Sequence, residues 1–202
     1  MSTESSQRRE EILAAALEIL ATHGHEALTV RRVATAANCS TIGVYTWFGG
    51  KDGLVDAILI DGFTSFCQAL RKAKRGRGPL GLLMGQGRAY RAWALAHPTS
   101  YRVMFMNVVP GHTPSNQAIL AGAESFSILR DEVETCYLRG EVASHDLDAV
   151  AMTVWGMVHG LVSIEITSAY PPNLADQHSL HNRSFDLALQ ACGRGLLALD
   201  HQ

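Results

Sequence analysis

Signatures of catalysis are missing from this sequence. It contains no Gly-x-Ser-x-Gly, Walker loop, dinucleotide loop or His-Glu-x-x-His motif. His159 and Glu165 stand six apart, not on one helix face, and no activated nucleophile accompanies them. No catalytic residue and no cofactor is therefore expected. Cysteine is scarce as well. Cys39, Cys67, Cys136 and Cys192 are far apart and form no Cys-x-x-Cys pair, so they read as small hydrophobes rather than disulfides. Nine histidines are present, but no carboxylate or cysteine completes a ligand set around His178 and His181, so no metal is expected. No uninterrupted apolar run reaches about 18 residues, which argues against a membrane span. Met1 to Arg9 is polar and lacks an apolar signal core, so a cytoplasmic location is expected. Excess charge of either sign is also absent, with a formal net charge of −2. That excludes a uniformly basic nucleic-acid coat. Hydrophobic residues, at 47%, suffice for a sizeable core.

What is present is helical periodicity, with no convincing alternating strand. The fold class is all-α. Ile12, Leu13, Ala16, Leu17 and Leu20 mark an amphipathic first helix ending at His23-Gly24, where glycine would supply a left-handed cap. Two short helical segments follow, broken at Asn38-Cys39-Ser40. The first, Val30 to Ala37, puts Val30, Val33, Ala34 and Ala37 on one side. The second, Thr41 to Trp47, sends Ile42 or Val44 and Phe48 inward. Thr29 and Ser40 are placed to cap them. Two short helices joined by a tight turn form a helix-turn-helix, whose second helix enters the DNA major groove. A plain helical hairpin in a core would show the same apolar spacing. The outer residues favour DNA. Thr41, Gly43, Tyr45, Thr46 and Trp47 suit base edges, thymine methyls and phosphates, and Arg31, Arg32 and Lys51 flank them.

Ser40, Tyr45, Phe48, Lys51 and Leu54, with Val33-Ala34 and Ala37 upstream, resemble the DNA-binding head of the TetR family of bacterial transcriptional regulators. The likeness covers about residues 8 to 60. Trp47 stands where many members carry His. Gly49-Gly50 replaces a commoner Pro/Ser/Asn pair, which would loosen the turn before the fourth helix. The resemblance implies that Tyr45 and Lys51 touch phosphates, and that Thr41, Gly43, Thr46 and Trp47 face the groove. With Arg31 and Ile42 they form the candidate DNA-binding set. The partner implied is double-stranded operator DNA, bound by a homodimer. Residues 1 to 51 hold five Lys/Arg and five Asp/Glu, so this head is neutral on balance. Weak non-specific binding is expected, because that component scales with phosphates neutralised. Glu10, Glu11 and Glu18 are expected to face away from DNA.

We divide the chain into a three-helix head, residues 1–50, and a helical-bundle body for ligand binding and dimerisation, residues 51–202. A long helix opens at Lys51-Asp52, carries Leu54, Val55, Ile58, Leu59, Phe63, Phe66 and Leu70, and fades into the basic stretch Arg71 to Pro79. That stretch reads as a solvated helix end sooner than a DNA contact. Further helices are predicted over Leu82–Ala96 and Thr99–Met106. The next runs from a Thr113 cap to Gly140 on Ile119, Ala123, Phe126, Leu129, Val133 and Cys136. Another runs from a Ser144 cap over Asp146–Ala169 up to Pro171-Pro172, and the last covers Gln177–Leu199 with Leu180, Phe185, Leu187 and Leu189. The segment Met152 to Ile166 is apolar almost all round and needs cover on every side. Small residues Ala188, Ala191, Gly193 and Gly195 on the last helix permit close approach. Together these predict an intermolecular four-helix bundle.

Residues 154 to 160, with Trp155, His159 and Gly160, and the segment His97 to Phe105 resemble the Trp-His-Gly subclass of TetR C-terminal domains. Trp93, Tyr101, Phe105, Phe126, Met152, Trp155 and His159 form the candidate site for a small-molecule effector. They belong to a denser set of Met and aromatic residues that includes Tyr90, and such side chains give an adaptable pocket lining. Any one of them alone reads as core sooner than as a ligand contact. The function expected is a ligand-released repressor.

Overall fold

The computed structural model describes residues 3–78, 80–168 and 176–198. Pro79, Ala169, Pro171-Pro172 and Leu199, named above at helix ends, lie outside the described residues. The described residues form helices and one 3₁₀ turn and contain no strand. In order the helices are α1 (Thr3–His23), α2 (Val30–Ala36), α3 (Thr41–Phe48), α4 (Lys51–Arg71), α5 (Gly81–Ala96), α6 (Pro98–Phe105), α7 (Asn116–Leu138), α8 (Leu147–Thr167) and α9 (Gln177–Ala198). They cluster into two compact units. One holds residues 1–65 and 97–123, the other 66–96 and 124–202, so α4 and α7 each contribute to both.

In the first unit α1 buries Ile12, Leu13, Ala16, Ile19 and Leu20. Leu17, expected on that face, is only half-buried, and Ile19 takes the inward position. Gly24 has φ 74° and ψ −178°. That is a glycine-only extended region, not the left-handed helical cap expected there. Thr29 accepts a hydrogen bond from the Arg32 amide, and Ser40 from the Gly43 amide, as their positions predicted. Between the two inward candidates of α3 the choice falls on Val44, which is fully buried with Phe48, while Ile42 is 75% exposed. Tyr101 on α6 is fully buried, its ring 5.0 Å from that of Phe105, which in turn meets Phe63 of α4 edge-on at 5.6 Å. The α6–α7 loop is tied to the start of α4. His112 Nε2 lies 3.1 Å from Asp56 Oδ1, which also accepts from the Ser115 amide.

Two caps differ from expectation. Ser115, not Thr113, caps α7, since its hydroxyl accepts from the Ala118 amide. Asp146, not Ser144, caps α8 and accepts from the Ala149 amide. In each case the oxygen sits three residues before the amide it must reach, whereas Thr113 and Ser144 begin too early. α7 ends as predicted near Gly140, where the Glu141 amide donates back to the Cys136 carbonyl in a Schellman turn. Of the residues along α7, Ile119 and Ala123 are exposed and Ala118 is buried. The glycine spacing Gly76-x-Gly78-x-x-Gly81 does occur, contrary to the expectation of no such loop. It follows helix α4 rather than a strand, so it lacks the context of a dinucleotide loop.

The second unit is built on Leu80, Leu83, Val133, Cys136, Val142, Val150, Ala151, Val154 and Leu196. α8 sends Val150, Val154, Val158, Val162 and Ile166 inward at a spacing of four. The Arg91 guanidinium of α5 grips Glu165 of α8 through two hydrogen bonds, at 2.7 and 2.6 Å, and donates to Asn182 of α9. It also lies 5.1 Å from the centre of the Phe185 ring. Burial by itself would raise the Glu165 carboxyl, but the hydrogen bonds and charge of Arg91 outweigh it and hold the group below its ordinary value. This pair joins three helices at one point. Gly193 faces inward, against the expectation that it serves close approach by a partner. A Cβ there would stand 2.5 Å from Met84 Cε in the same chain. Helices α4 and α8 are long and apolar enough to cross a membrane by length and composition alone, with 18-residue windows of mean hydropathy 1.3 and 1.5. More than half of the α4 window (56%) is buried inside the chain, against 33% of the α8 window. The first is thus a core helix, and the second has much apolar surface left over.

Candidate functional site

The outward face of α3 follows from its inward one. With Val44 and Phe48 buried, helical geometry turns Thr41, Ile42, Tyr45 and Thr46 to the outside, and all four are exposed. Gly43 and Trp47 flank them, half-buried. Ile42 and Tyr45, at 75% and 57% exposure, are large apolar groups that their own chain leaves mostly uncovered. An aliphatic side chain in such a place suits a thymine methyl. The Thr46 hydroxyl donates to the Ile42 carbonyl at 2.8 Å, which leaves its methyl and lone pairs to a partner.

The cations of the head divide into two groups. Arg8 pairs with Glu11 at 2.9 Å, and Arg9 pairs with Asp61. Lys51 is half-buried, its ammonium 3.4 Å from the carbonyl of His25, the first residue of the short 3₁₀ turn. Arg31 and Arg32 are exposed on α2 with no ion pair among the described residues. The neutral head thus concentrates its unpaired positive charge beside α3. Glu10 and Glu18 are exposed on α1, and Glu11 is taken up by Arg8.

α3 is held at its far end by a tight joint. Gly49 adopts the left-handed conformation (φ 71°, ψ −1°) and its amide donates to the Tyr45 carbonyl. α4 starts two residues later. Gly53, in its first turn, lies so close to α3 that a Cβ would stand 1.7 Å from the Phe48 carbonyl oxygen. Gly53 carries no signal in the sequence, because a lone glycine inside a helix pattern reads only as a weak helix former.

The seven effector candidates are shared between the two units. Tyr101 and Phe105 belong to the first unit; Trp93, Phe126, Met152, Trp155 and His159 belong to the second. Met152 is 52% exposed on α8, on the outside of the helix from the inward valines. In the second unit Trp155 stacks on His159 at 5.1 Å and meets Phe126 edge-on at 6.4 Å. Tyr90 Oη lies 2.9 Å from His159 Nδ1, and Phe66 packs against both Tyr90 and Trp93. Burial pushes the His159 imidazole below its ordinary value, so it stays neutral, with Ser163 Oγ 3.4 Å from Nε2. Tyr90 is the member that the candidate set omitted. A distinct small apolar cleft, lined by Leu83, Met84, Val154, Met157, Leu189 and Cys192 among others, includes none of the seven. Cys67 and Cys136 are buried and Cys39 and Cys192 half-buried, all as free thiols. Burial raises the Cys136 thiol to about 12, which leaves it inert.

Residues 12–58 match the family model of bacterial regulatory proteins of the TetR family, and residues 83–192 match the tetracyclin repressor-like C-terminal domain. No curated protein matches the sequence. Among solved structures, a protein of unknown function from Rhodococcus sp. RHA1 superposes with a TM-score of 0.77 at 22% identity, covering 94% of this chain and 95% of its own. A TetR-family regulatory protein from Rhodococcus RHA1 gives 0.70 at 24% identity over 96% and 98%. The TetR-family transcriptional regulator PfmR from Thermus thermophilus gives 0.69 at 20% over 90% and 95%. At these identities the structural likenesses establish the fold, while the second family model spans more than half of the sequence by itself. The chain belongs to the TetR family, and it is a DNA-binding transcriptional regulator rather than an enzyme.

Proposed function

We propose that this regulator is a cytoplasmic, homodimeric repressor that leaves a roughly palindromic operator when a small apolar or aromatic molecule binds its second half. In functional terms the DNA-reading part is residues 1–50 and the ligand and dimer part 51–202. The observation that carries the DNA-reading assignment is the uncovered outer face of α3, with Thr41, Ile42, Tyr45 and Thr46 exposed beside the unpaired Arg31. Gly43, Trp47 and Lys51 complete the proposed contact set. Selection of bound fragments from random duplexes by the purified protein tests it and yields the operator. Tyr45→Ala should then weaken binding to operator and unrelated DNA alike. Substitutions of Thr46 or Trp47 should change the preference among operators, each base interaction removed costing about 1–3 kcal/mol. Unchanged operator affinity in a folded Tyr45→Ala protein counts against the placement.

The effector reading rests on the Phe126–Trp155–His159–Tyr90 chain in the second unit, together with Trp93. A polar group on an otherwise apolar ligand would exchange with Tyr90 or Ser163 for a ring nitrogen of His159. The stacking of Trp155 on His159 is also what supports the Trp-His-Gly subclass. Tyr101 and Phe105, of the first unit, remain in the proposed set, as does Met152, which lies outermost on α8. A ligand can release DNA only by preferring the non-binding arrangement, and a 100-fold loss of operator affinity needs about 2.7 kcal/mol of coupling. α4 and α7 run through both units and give continuous helices along which such a preference can act. Trp155→Ala should abolish the response to ligand and leave operator affinity in its absence near wild type. A thermal-shift screen of hydrophobic metabolites, followed by operator-release assays, supplies the measurement. Binders that stabilise the protein but never change DNA affinity would sink the induction model.

A further inference from the structure

The structure assigns Arg9 a role that its position on the first helix disguises. We propose that Arg9 is a positioning residue for the recognition helix, and thereby a determinant of DNA specificity, without itself touching DNA. This rests on the DNA-reading assignment of α3. The guanidinium stands where three helices of the first unit meet. It comes from α1, donates to both carboxylate oxygens of Asp61 on α4 at 2.9 and 3.1 Å, and lies 5.8 Å from the ring centre of Phe48, the last residue of α3. Phe48 is the inward anchor of the recognition helix. Whatever fixes its ring fixes how far Thr41 to Trp47 project and at what angle.

Chemistry separates this reading from two simpler ones. A phosphate anchor keeps its donors turned to solvent, whereas both terminal nitrogens of Arg9 are engaged by Asp61 in a fork geometry. An inert surface pair, the usual fate of exposed ion pairs, is single-contact and spans two neighbours. Here the side chains are 30% and 45% exposed, the contact is bidentate, and the same cation lies over an aromatic ring, 5.8 Å from its centre. Only arginine can do both at once, because lysine lacks the planar fork. Asp61 gives the sharpest contrast. Removing a negative charge from a DNA-binding surface strengthens binding when only electrostatics matters. If Asp61 holds Arg9 in place, its removal instead weakens recognition.

The test compares Arg9→Gln, Arg9→Lys, Asp61→Asn and the exchanged pair Arg9→Asp with Asp61→Arg. Affinities are measured by fluorescence anisotropy over a range of salt. The probes are a duplex that the wild-type protein retrieves from a random pool and a shuffled duplex of equal composition. Arg9→Gln and Asp61→Asn should each lower the ratio of the two affinities by about tenfold, equivalent to about 1.4 kcal/mol. The salt slope should remain that of wild type. Arg9→Lys should fall between, and the exchanged pair should recover part of the ratio. Hydrogen exchange on the free proteins should quicken at amides 43–49, with the melting temperature little changed. An equal loss on both duplexes, a salt slope lower by about one, and tighter binding by Asp61→Asn would make Arg9 a phosphate contact and overturn the proposal. Wild-type ratios throughout would make it an inert pair and overturn it too. If the wild-type protein retrieves no duplex, the DNA-reading assignment of α3 fails separately, and unchanged exchange at 43–49 then refutes the positioning role as well.

Discussion

Gly53→Ala should cost this regulator most of its operator binding, although it adds one methyl group far from any expected base contact. The new Cβ would fall 1.7 Å from the Phe48 carbonyl oxygen and 2.8 Å from its carbon. Both are backbone atoms, so no side chain can swing aside. Either α4 or the end of α3 must move by more than an ångström. The segment between them has little slack. Gly49 is the left-handed cap of α3, and Gly50, buried at φ 131°, completes the turn. Overpacking of this kind costs about 1–3 kcal/mol. Alanine returns at most about 1 kcal/mol of helix propensity. A net loss of about 1–2 kcal/mol would lower the melting temperature by several degrees in a chain of this size. The larger effect falls on recognition. A shifted α3 misaligns several contacts at once, each worth about 1–3 kcal/mol, so operator affinity should drop at least about 100-fold. Affinity for unrelated DNA should change far less. Anisotropy titrations and a thermal melt decide it, and a Gly53→Ala protein with wild-type affinity and stability would show that the joint is not tight.

The recognition region is legible in the sequence because its signals are local. Thr29 and Ser40 are caps whose partners lie three residues on, so sequence spacing alone fixes them. Spacing from Phe48 favours Val44 over Ile42 as the inward residue of α3. Val44 lies four residues before Phe48, on the same helix face, and Ile42 six before, turned away from it, and the burial follows that geometry. The Gly49-Gly50 pair stands out in the sequence and suggests a loosened turn. It is instead part of a close joint, because the approach of Gly53 to Phe48 is a tertiary fact. Arg9 and Asp61 are 52 residues apart, and no local pattern joins them.

The second unit is legible by element but not by face. Periodicity places α5, α8 and α9 well. It does not place Leu187 and Gly193, or Ile119 of α7 in the first unit, on a face, since apolar or small residues on several sides of a helix do not say which side meets its own chain. The effector set is the least local of these readings. It follows residue type along the chain, and residue type does not distinguish Tyr101, fully buried in the first unit, from Trp155 in the second. His159 and Tyr90, 69 positions apart, meet through a single hydrogen-bond contact that no spacing could reveal.

Ala191→Arg should convert the protein to a monomer without unfolding it, whereas Gly193→Glu should unfold it. In sequence the two sites look alike, as small residues on the last helix. In the fold they face opposite ways. Gly193 packs against Met84 and Leu80 of its own chain, so a glutamate there buries a charge with no partner. Ala191 is exposed, and Leu187 and Gly195, four residues to either side, are exposed with it. Leu187 is 65% exposed, and a Cβ at Gly195 would meet nothing within 4 Å. α8 carries a matching stripe at the same spacing. Met152 and Ile164 are exposed along it, and Gly156 and Gly160 between them have open space beside them. Two stripes of large apolar ends and small middles are what helices need to approach closely at a spacing of four. Only 33% of the most apolar stretch of α8 is buried inside its own chain, which leaves the surface that the proposed dimer would cover. An arginine at 191 then enters an apolar interface and prevents it from closing. Light scattering at micromolar concentration should give the dimer mass for wild type and half of it for Ala191→Arg, with helical circular dichroism retained. Operator affinity should fall by at least about 100-fold, because a palindromic site is read by two heads together. Gly156→Ala adds a finer check. In a free helix it stabilises by up to about 1 kcal/mol, so weaker dimerisation in this variant would mean that the space beside Gly156 is filled by the partner. A wild-type protein that is monomeric and still binds its operator, or an Ala191→Arg protein that remains dimeric, would refute the α8–α9 interface.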